Sequence, residues 1–390
     1  MNRQTSIYLD LIRFGSALLV LFSHLSFERF TGHHMDFMGR FGQVGVLFFF
    51  VLSGYVIAFV TDTRQNGFRS YMTARFARLY SVIVPALLIV PILDFIGGHV
   101  DMTFYGEYLK PSTYPAIRAF IHFVFSQQLW FLNIQYFSDG PFWSLGHEFW
   151  YYLLFGFAMF LEGKRKYLLI ILISVLIGPK ILLLMVPWLF GVWGYRFHRN
   201  KVLSRKIANL IFWGSPILFL IFLPFEDPID AITRNLIGDD LHKKLMFSRN
   251  FVFSYMTAFC ILLNIISIKY IEINFVKSGL FKGENFIRYL ANCTFTIYLF
   301  HFPLLLFYGA LLRHSAGSLL DVVLLFGITF ISCLFLASFT EKKKHVFKRC
   351  INAILNRGRV VYQGVSLWKH RVPGLMRRAV GMGRPGAEDR

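Results

Sequence analysis

Ten apolar runs constrain this chain more than anything else in it, near residues 7–27, 42–60, 79–97, 144–161, 167–178, 180–196, 207–225, 251–268, 286–311 and 318–340. A helix needs about 20 apolar residues to cross the hydrocarbon core of a bilayer. The runs therefore predict an all-α integral membrane protein, a bundle of about ten transmembrane helices. Several are at or below that length, and the weakest are the two flanking Gly178-Pro179. With 56% hydrophobic residues, the 390-residue chain has more apolar surface than one soluble core of this length hides. The first run carries Asp10 and Arg13 and is followed by no small-residue cleavage site, so it reads as a retained span rather than a signal peptide.

A formal charge of +20 raises the question of a nucleic-acid partner. The Lys and Arg residues, however, gather in short segments between alternate runs, at Arg64 to Arg78, Arg196 to Lys206, Lys269 to Lys282 and from Lys342 onward. The intervening loops collect acids such as Asp101, Glu107, Asp139, Glu226 and Asp227. By the positive-inside rule this predicts both termini cytoplasmic, the 98–142 and 226–250 loops outside, and no nucleic-acid partner. The expected organisation is a transmembrane domain over 1–340 and a basic cytoplasmic tail over 341–390, partly disordered or lying on the membrane surface. Cys260, Cys293, Cys333 and Cys350 have no spacing that suits a metal or a disulfide framework and read as packing residues; no metal site is expected.

Ionisable groups inside spans are costly and invite a functional reading. Asp10, Arg13 and His24 fall on one stripe of the first span, which should face the bundle interior. Asp10 and Arg13 are able to neutralise each other as a structural pair. Rising about 1.5 Å per residue, the first span brings His24 near the outer face. Glu148 opens the fourth span from outside, and His301 lies on one face of the ninth with Thr294 and Tyr298, so three proton-handling groups are expected at one level. At the opposite level, Arg75 and Arg78 share a helix face beside free backbone N–H groups, which suits phosphate, although ordinary positive-inside flanks explain them too. Trp130, Phe131, Tyr136, Phe142 and Trp143 could stack on sugar rings or simply mark an interface.

Five blocks then resemble a known family, in its order: Leu9-Asp10-x-x-Arg13 with Ser23-His24; Phe48 to Tyr55, including Ser53; Arg75-x-x-Arg78-Leu79-Tyr80; Phe142-Trp143-Ser144-Leu145-x-x-Glu148-x-x-Tyr151-Tyr152; and Tyr298-Leu299-x-His301-Phe302-Pro303. The chain resembles the membrane-bound acyltransferase 3 family over roughly 5–341. The resemblance implies a multi-pass protein of the cell inner membrane, an acyltransferase for groups other than aminoacyl groups. It would move an acyl group, most often acetyl from acetyl-CoA, onto a hydroxyl of a glycan or glycolipid. It implies His24 as catalytic base, with Glu148 and His301 as further catalytic residues, and Arg75 and Arg78 on the acyl-CoA donor. Asp10, Arg13, Ser53, Trp143, Ser144 and Tyr298 would support the site. Acyl-CoA enters as a donor substrate rather than a tightly bound cofactor, and membrane lipids complete the partners. Leu11, Phe14, His147 and Lys342 depart from the family's usual residues. A transporter or flippase of a sugar or lipid precursor is the alternative; it should show paired repeats and matching broken helices, and the only such break is Gly178-Pro179.

Overall fold

The computed structural model describes residues 1–64, 67–109, 114–271 and 283–356, and these form helices joined by short links, with one isolated bridge between Tyr136 and Asp139. In chain order the helices are α1 (Arg3–Leu25), α2 (Glu28–Thr31), α3 (Phe41–Arg64), α4 (Phe68–Val100), α5 (Met102–Tyr105) and α6 (Pro115–Phe123). Then come α7 (Trp143–Phe160), α8 (Gly163–Ile177), α9 (Pro179–Asn200), α10 (Arg205–Phe222), α11 (Glu226–Ile237) and α12 (Asp239–Leu245). The series closes with α13 (Phe251–Ser267), α14 (Glu284–Ala291), α15 (Thr294–Leu311) and α16 (Leu319–Phe339).

Among the described residues, eight segments are long and apolar enough to cross a membrane. They contain α1, α3, α4, α9, α10, α13, α15 and α16. The expected α7 and α8 spans form as helices but are not among the eight: α8 has 15 residues, and the polar groups of Trp143, His147, Glu148, Tyr151 and Tyr152 dilute the apolar character of α7. The expected ninth run is broken after Ala291, so α14 and α15 are separate helices.

The α15 helix forms the centre. Its sequence is apolar on every side, and it is buried almost throughout, packed against α1, α4 and α16. A second axis is made by α3, which lies along α1, α9 and α13. At its crossing with α9 the two backbones touch: a Cβ on Gly54 would lie 1.9 Å from the Trp188 carbonyl oxygen, and one on Gly191 would lie 1.9 Å from the Val51 carbonyl oxygen. Only hydrogen fits at either position, which is the close approach that small residues permit between membrane helices.

Part of the 98–142 loop packs into the bundle. Phe125, Gln127, Gln128, Tyr136, Ser138 and Asp139 are all buried. Asp94 of α4 accepts hydrogen bonds from the Ser138 amide and hydroxyl, both at 2.7 Å. Lys180 donates to Gln128 at 2.7 Å and to the Leu132 carbonyl at 2.5 Å. The Trp130 amide donates to the Ile177 carbonyl, and the Trp130 backbone occupies the space a side chain at Gly178 (φ 76°) would need; this docking is what parts α8 from α9. Asp139 is therefore not an exposed loop acid. Burial, then the nearby Asp94, holds its carboxyl well above the usual carboxylate range, and neither oxygen has a hydrogen-bond partner.

Past Thr340 the chain stays with the bundle. Glu341 is buried, residues 344–356 are helical, and Arg69 donates to Asn356 at 2.7 Å. The remainder of the expected tail, 357–390, lies outside the described residues.

Candidate active site

The predicted stripe on α1 does face inward, and it meets two separate groups of residues. Near its C-terminal end, His24 Nδ1 lies 3.0 Å from the Val20 carbonyl oxygen and 3.1 Å from His301 Nε2. His301 Nδ1 lies 2.9 Å from the Ile297 carbonyl oxygen. A carbonyl only accepts, so each Nδ1 carries the proton in the neutral ring. His301 Nε2 then accepts from His24 Nδ1–H, and His24 Nε2 is left with a free lone pair, bonded to no described protein group. The aromatic rings of Phe27 and Phe302 pack on His24, and Tyr298 on the other side of His301 has its ring 6.4 Å away.

Glu148 is not at that level. It belongs to a second group, nearer the α1 N-terminus, where it accepts hydrogen bonds from Ser53 at 2.8 Å and from Tyr152. Trp188 in turn donates to Ser53 at 3.2 Å. The expected convergence of His24, Glu148 and His301 thus holds only for the two histidines. The difference arises because α7 begins inside the protein: Phe142, Trp143 and Ser144 are already buried by the inward loop, so Glu148, one turn further, lies deeper than a helix starting at the membrane surface would place it.

Between the two groups, Ser144 and Tyr298 share a hydrogen bond of 2.7 Å. A narrow cavity of about 40 Å³ runs beside them, lined by Arg13, Ser53, Arg78, Ser144, Glu148, Thr294 and Tyr298 among others. Its volume suits roughly three waters. At Arg13 and Val56 it meets a larger cavity of about 330 Å³ whose lining includes Asp10, Arg13, Arg64 and Arg288.

Arg78 lines the narrow cavity, and Arg75 lies one turn before it in α4. Arg75 is only 8% exposed, yet no carboxylate or hydrogen-bond acceptor among the described residues meets either guanidinium, and the Nε of each is buried without a partner. Their nearest company is aromatic: Arg75 lies 5.8 Å from the Tyr71 ring and 6.0 Å from the Tyr152 ring, and Arg78 lies 4.5 Å from the Phe295 ring. The expected free backbone N–H groups are absent, because α4 begins at Phe68, three turns earlier than the hydropathy suggests and two turns before Arg75. What remains is a buried Arg75 and a half-buried Arg78 with no ion-paired carboxylate among the described residues, and burying a cation in that way is expensive unless a ligand completes it.

Sequence reasoning missed three further members. Asp10 is not held by Arg13 alone (3.2 Å); Arg288 also reaches it at 3.0 Å, and Arg288 is itself paired with Glu284 at 2.9 Å. Glu341 accepts a hydrogen bond from the Phe295 amide at 3.1 Å, capping α15 within electrostatic reach of Arg78, Lys344 and Arg13. Tyr152 holds Glu148. The i, i+4 spacings of Glu284 with Arg288 and of Glu148 with Tyr152 were local signals; the contacts of Arg288 with Asp10 and of Glu341 with Phe295 join residues far apart in the chain.

A family model described as an acyltransferase domain, that of acyltransferase 3, matches residues 6–338. The chain belongs to the acyltransferase 3 family. It is a multi-pass membrane acyltransferase. No curated protein and no solved structure matches it. Within this acyltransferase, the matched region contains every residue of the histidine pair and the arginine pair and stops short of Glu341.

Proposed function

We propose that this acyltransferase moves an acyl group, acetyl by preference, from acyl-CoA to a hydroxyl of a glycan or glycolipid at the cell inner membrane. The observation that carries the reading is the buried Arg75 and the half-buried Arg78, neither ion-paired with a carboxylate among the described residues. A polyanionic donor supplies the missing charge, and guanidinium groups match phosphate oxygens two at a time. The neighbouring cavity with Arg13, Arg64 and Arg288 gives room for the nucleotide end, while the narrow cavity leads from the arginines towards Tyr298.

Beyond Tyr298 in this reading, His24 Nε2 takes the proton of the acceptor hydroxyl as its oxygen attacks the thioester carbon. The carbon–sulfur bond breaks, and the imidazolium returns the proton to the departing CoA thiolate. His301 Nε2, which accepts from His24 Nδ1–H, strengthens that hydrogen bond as His24 becomes cationic, the part an orienting group plays beside a catalytic histidine. The hydroxyls of Ser144 and Tyr298 are the nearest donors for charge developing on the thioester oxygen. Glu148 acts on the arginine side, fixing Ser53 and Tyr152 along the donor path. The pantetheine arm needs more room than about 40 Å³, so donor binding must part the side chains around this cavity.

The test is equilibrium binding of radiolabelled CoA to the purified protein. Arg75→Gln and Arg78→Gln should each raise Kd at least tenfold, a loss of about 1.4 kcal/mol, with binding in the wild type weakened by salt. Equal CoA binding in wild type and both variants contradicts the assignment, and no binding in the wild type favours a transporter.

A further inference from the structure

A second pair of adjoining cavities lies across α1 and α3 from the path just described. One, about 490 Å³, is a groove between α1, α3, α10 and α13, lined by Ile12, Leu19, Phe48, Phe219 and Ile261 with Gly15. The other, about 370 Å³, is a polar chamber with Arg40, Glu226, Asp227, Asp230, Arg249 and Asn250 in its walls. Val44 and Thr257 line both, so the groove and the chamber adjoin. The groove's far end is closed by a hydrogen bond from Tyr8 to Asn264, whose amide also donates to Ser215 at 3.2 Å. From Tyr8 to Leu19 it follows α1 for about 16 Å.

Two residues of these walls carry buried polar atoms without a hydrogen-bond partner. Thr257, 1% exposed, has a buried hydroxyl without a partner at the junction, and Asn250 has a buried amide oxygen without one in the chamber. The chamber's charges also select the head. Three carboxylates against two guanidinium groups disfavour a phosphate headgroup, whereas this mixture of donors and acceptors suits a hydroxyl-rich neutral head. Phe247, on the chamber wall, stacks on Trp143 with centroids 4.3 Å apart and planes 6° apart. Trp143 is next in the chain to Ser144, which is bonded to Tyr298, so the stack ties the chamber wall to the start of α7, where Ser144 stands.

We infer that the groove and chamber bind a glycolipid, its single apolar chain in the groove and its sugar head in the chamber. The site presents the lipid-anchored acceptor of the proposed reaction, and to that extent the inference rests on the proposed function. An acceptor held this way enters sideways from the bilayer and reaches Ser144 and Tyr298 by displacement of the Phe247 and Trp143 stack.

The experiment uses the full-length protein in phospholipid vesicles with a long-chain alkyl glycoside carrying a diazirine in its alkyl chain. Photolabelled residues are mapped by mass spectrometry. Label should concentrate on Ile12, Leu19, Phe219 and Ile261, and an excess of unlabelled glycoside, but not of phospholipid, should compete it away. Gly15→Leu should cut it at least tenfold, since a Cβ at Gly15 meets nothing within 4 Å and the longer side chain fills the groove. Thr257→Val, which removes only the unpartnered hydroxyl, should weaken labelling severalfold and serves if Gly15→Leu does not insert. Label spread over all lipid-facing helices, or equal competition by phospholipid, overturns the proposal. Because labelling needs neither acyl-CoA nor turnover, it succeeds or fails independently of the acyl-transfer reading, which His24→Ala tests.

Discussion

At the residue scale the site depends on which atoms are left without partners. In the proposed reaction His24 serves as the base because its Nδ1 is committed to Val20 and His301, leaving the Nε2 lone pair free. Replacing it by Ala should lower kcat by about 10²- to 10⁴-fold with the KM for acyl-CoA little changed, as measured by initial rates. His301→Gln keeps an acceptor near His24 and should retain more activity than His301→Phe; equal losses would show that the Nε2 acceptor does not matter. The arginines obey the reverse logic, since function and stability oppose each other there. Arg75→Met removes a buried cation without a counter-charge, so it should hold or raise the donor-free Tm while destroying CoA binding. A thermal-shift assay with and without CoA measures both. The residues of this centre were legible in the sequence by helical spacing and family resemblance. Their grouping was not, because the depth of Glu148 depends on a loop whose inward turn is fixed by Asp94, Lys180 and Gly178, far from it in the chain.

At the element scale the α3 and α9 crossing sets the position of Ser53 relative to Trp188 and Glu148. Gly54→Ala or Gly191→Ala places a methyl group against a carbonyl oxygen and should cost about 1–3 kcal/mol or more. The fraction of monodisperse protein after detergent extraction should fall for both, and Gly15→Ala, which has open space, should match the wild type. Hydropathy found these helices but misjudged several ends. It began α4 eleven residues late, since Arg69, Arg75 and Arg78 interrupt the apolar signal while the backbone continues helical. It also joined α14 to α15, where Glu341 from beyond the last span caps the new helix, a contact 46 residues apart that no local pattern carries.

At the scale of the whole molecule the polar path and the amphiphilic cavities stand on opposite sides of the α1 and α3 layer, the first ending in basic residues and the second in a mixed-charge chamber. The charge pattern predicts that these ends face opposite sides of the membrane. Cysteines placed at Lys201 and at Lys243, beyond opposite ends of α10, should react with an impermeant maleimide from opposite faces of sealed vesicles; labelling of both from one face would refute the topology. The all-helical class was readable from the apolar runs alone, whereas the cavities arise from packing between helices and left no mark on composition.

The most direct test of the account is transfer of radiolabelled acetyl from acetyl-CoA to endogenous lipid-linked or surface glycan in native membrane vesicles, comparing wild type with His24→Ala at matched expression. The account predicts labelled glycan in the wild type and its loss in the variant. Undiminished transfer in His24→Ala would contradict the assignment of the base, and no transfer in the wild type with a supplied acceptor and a panel of acyl-CoAs would contradict the proposed reaction itself.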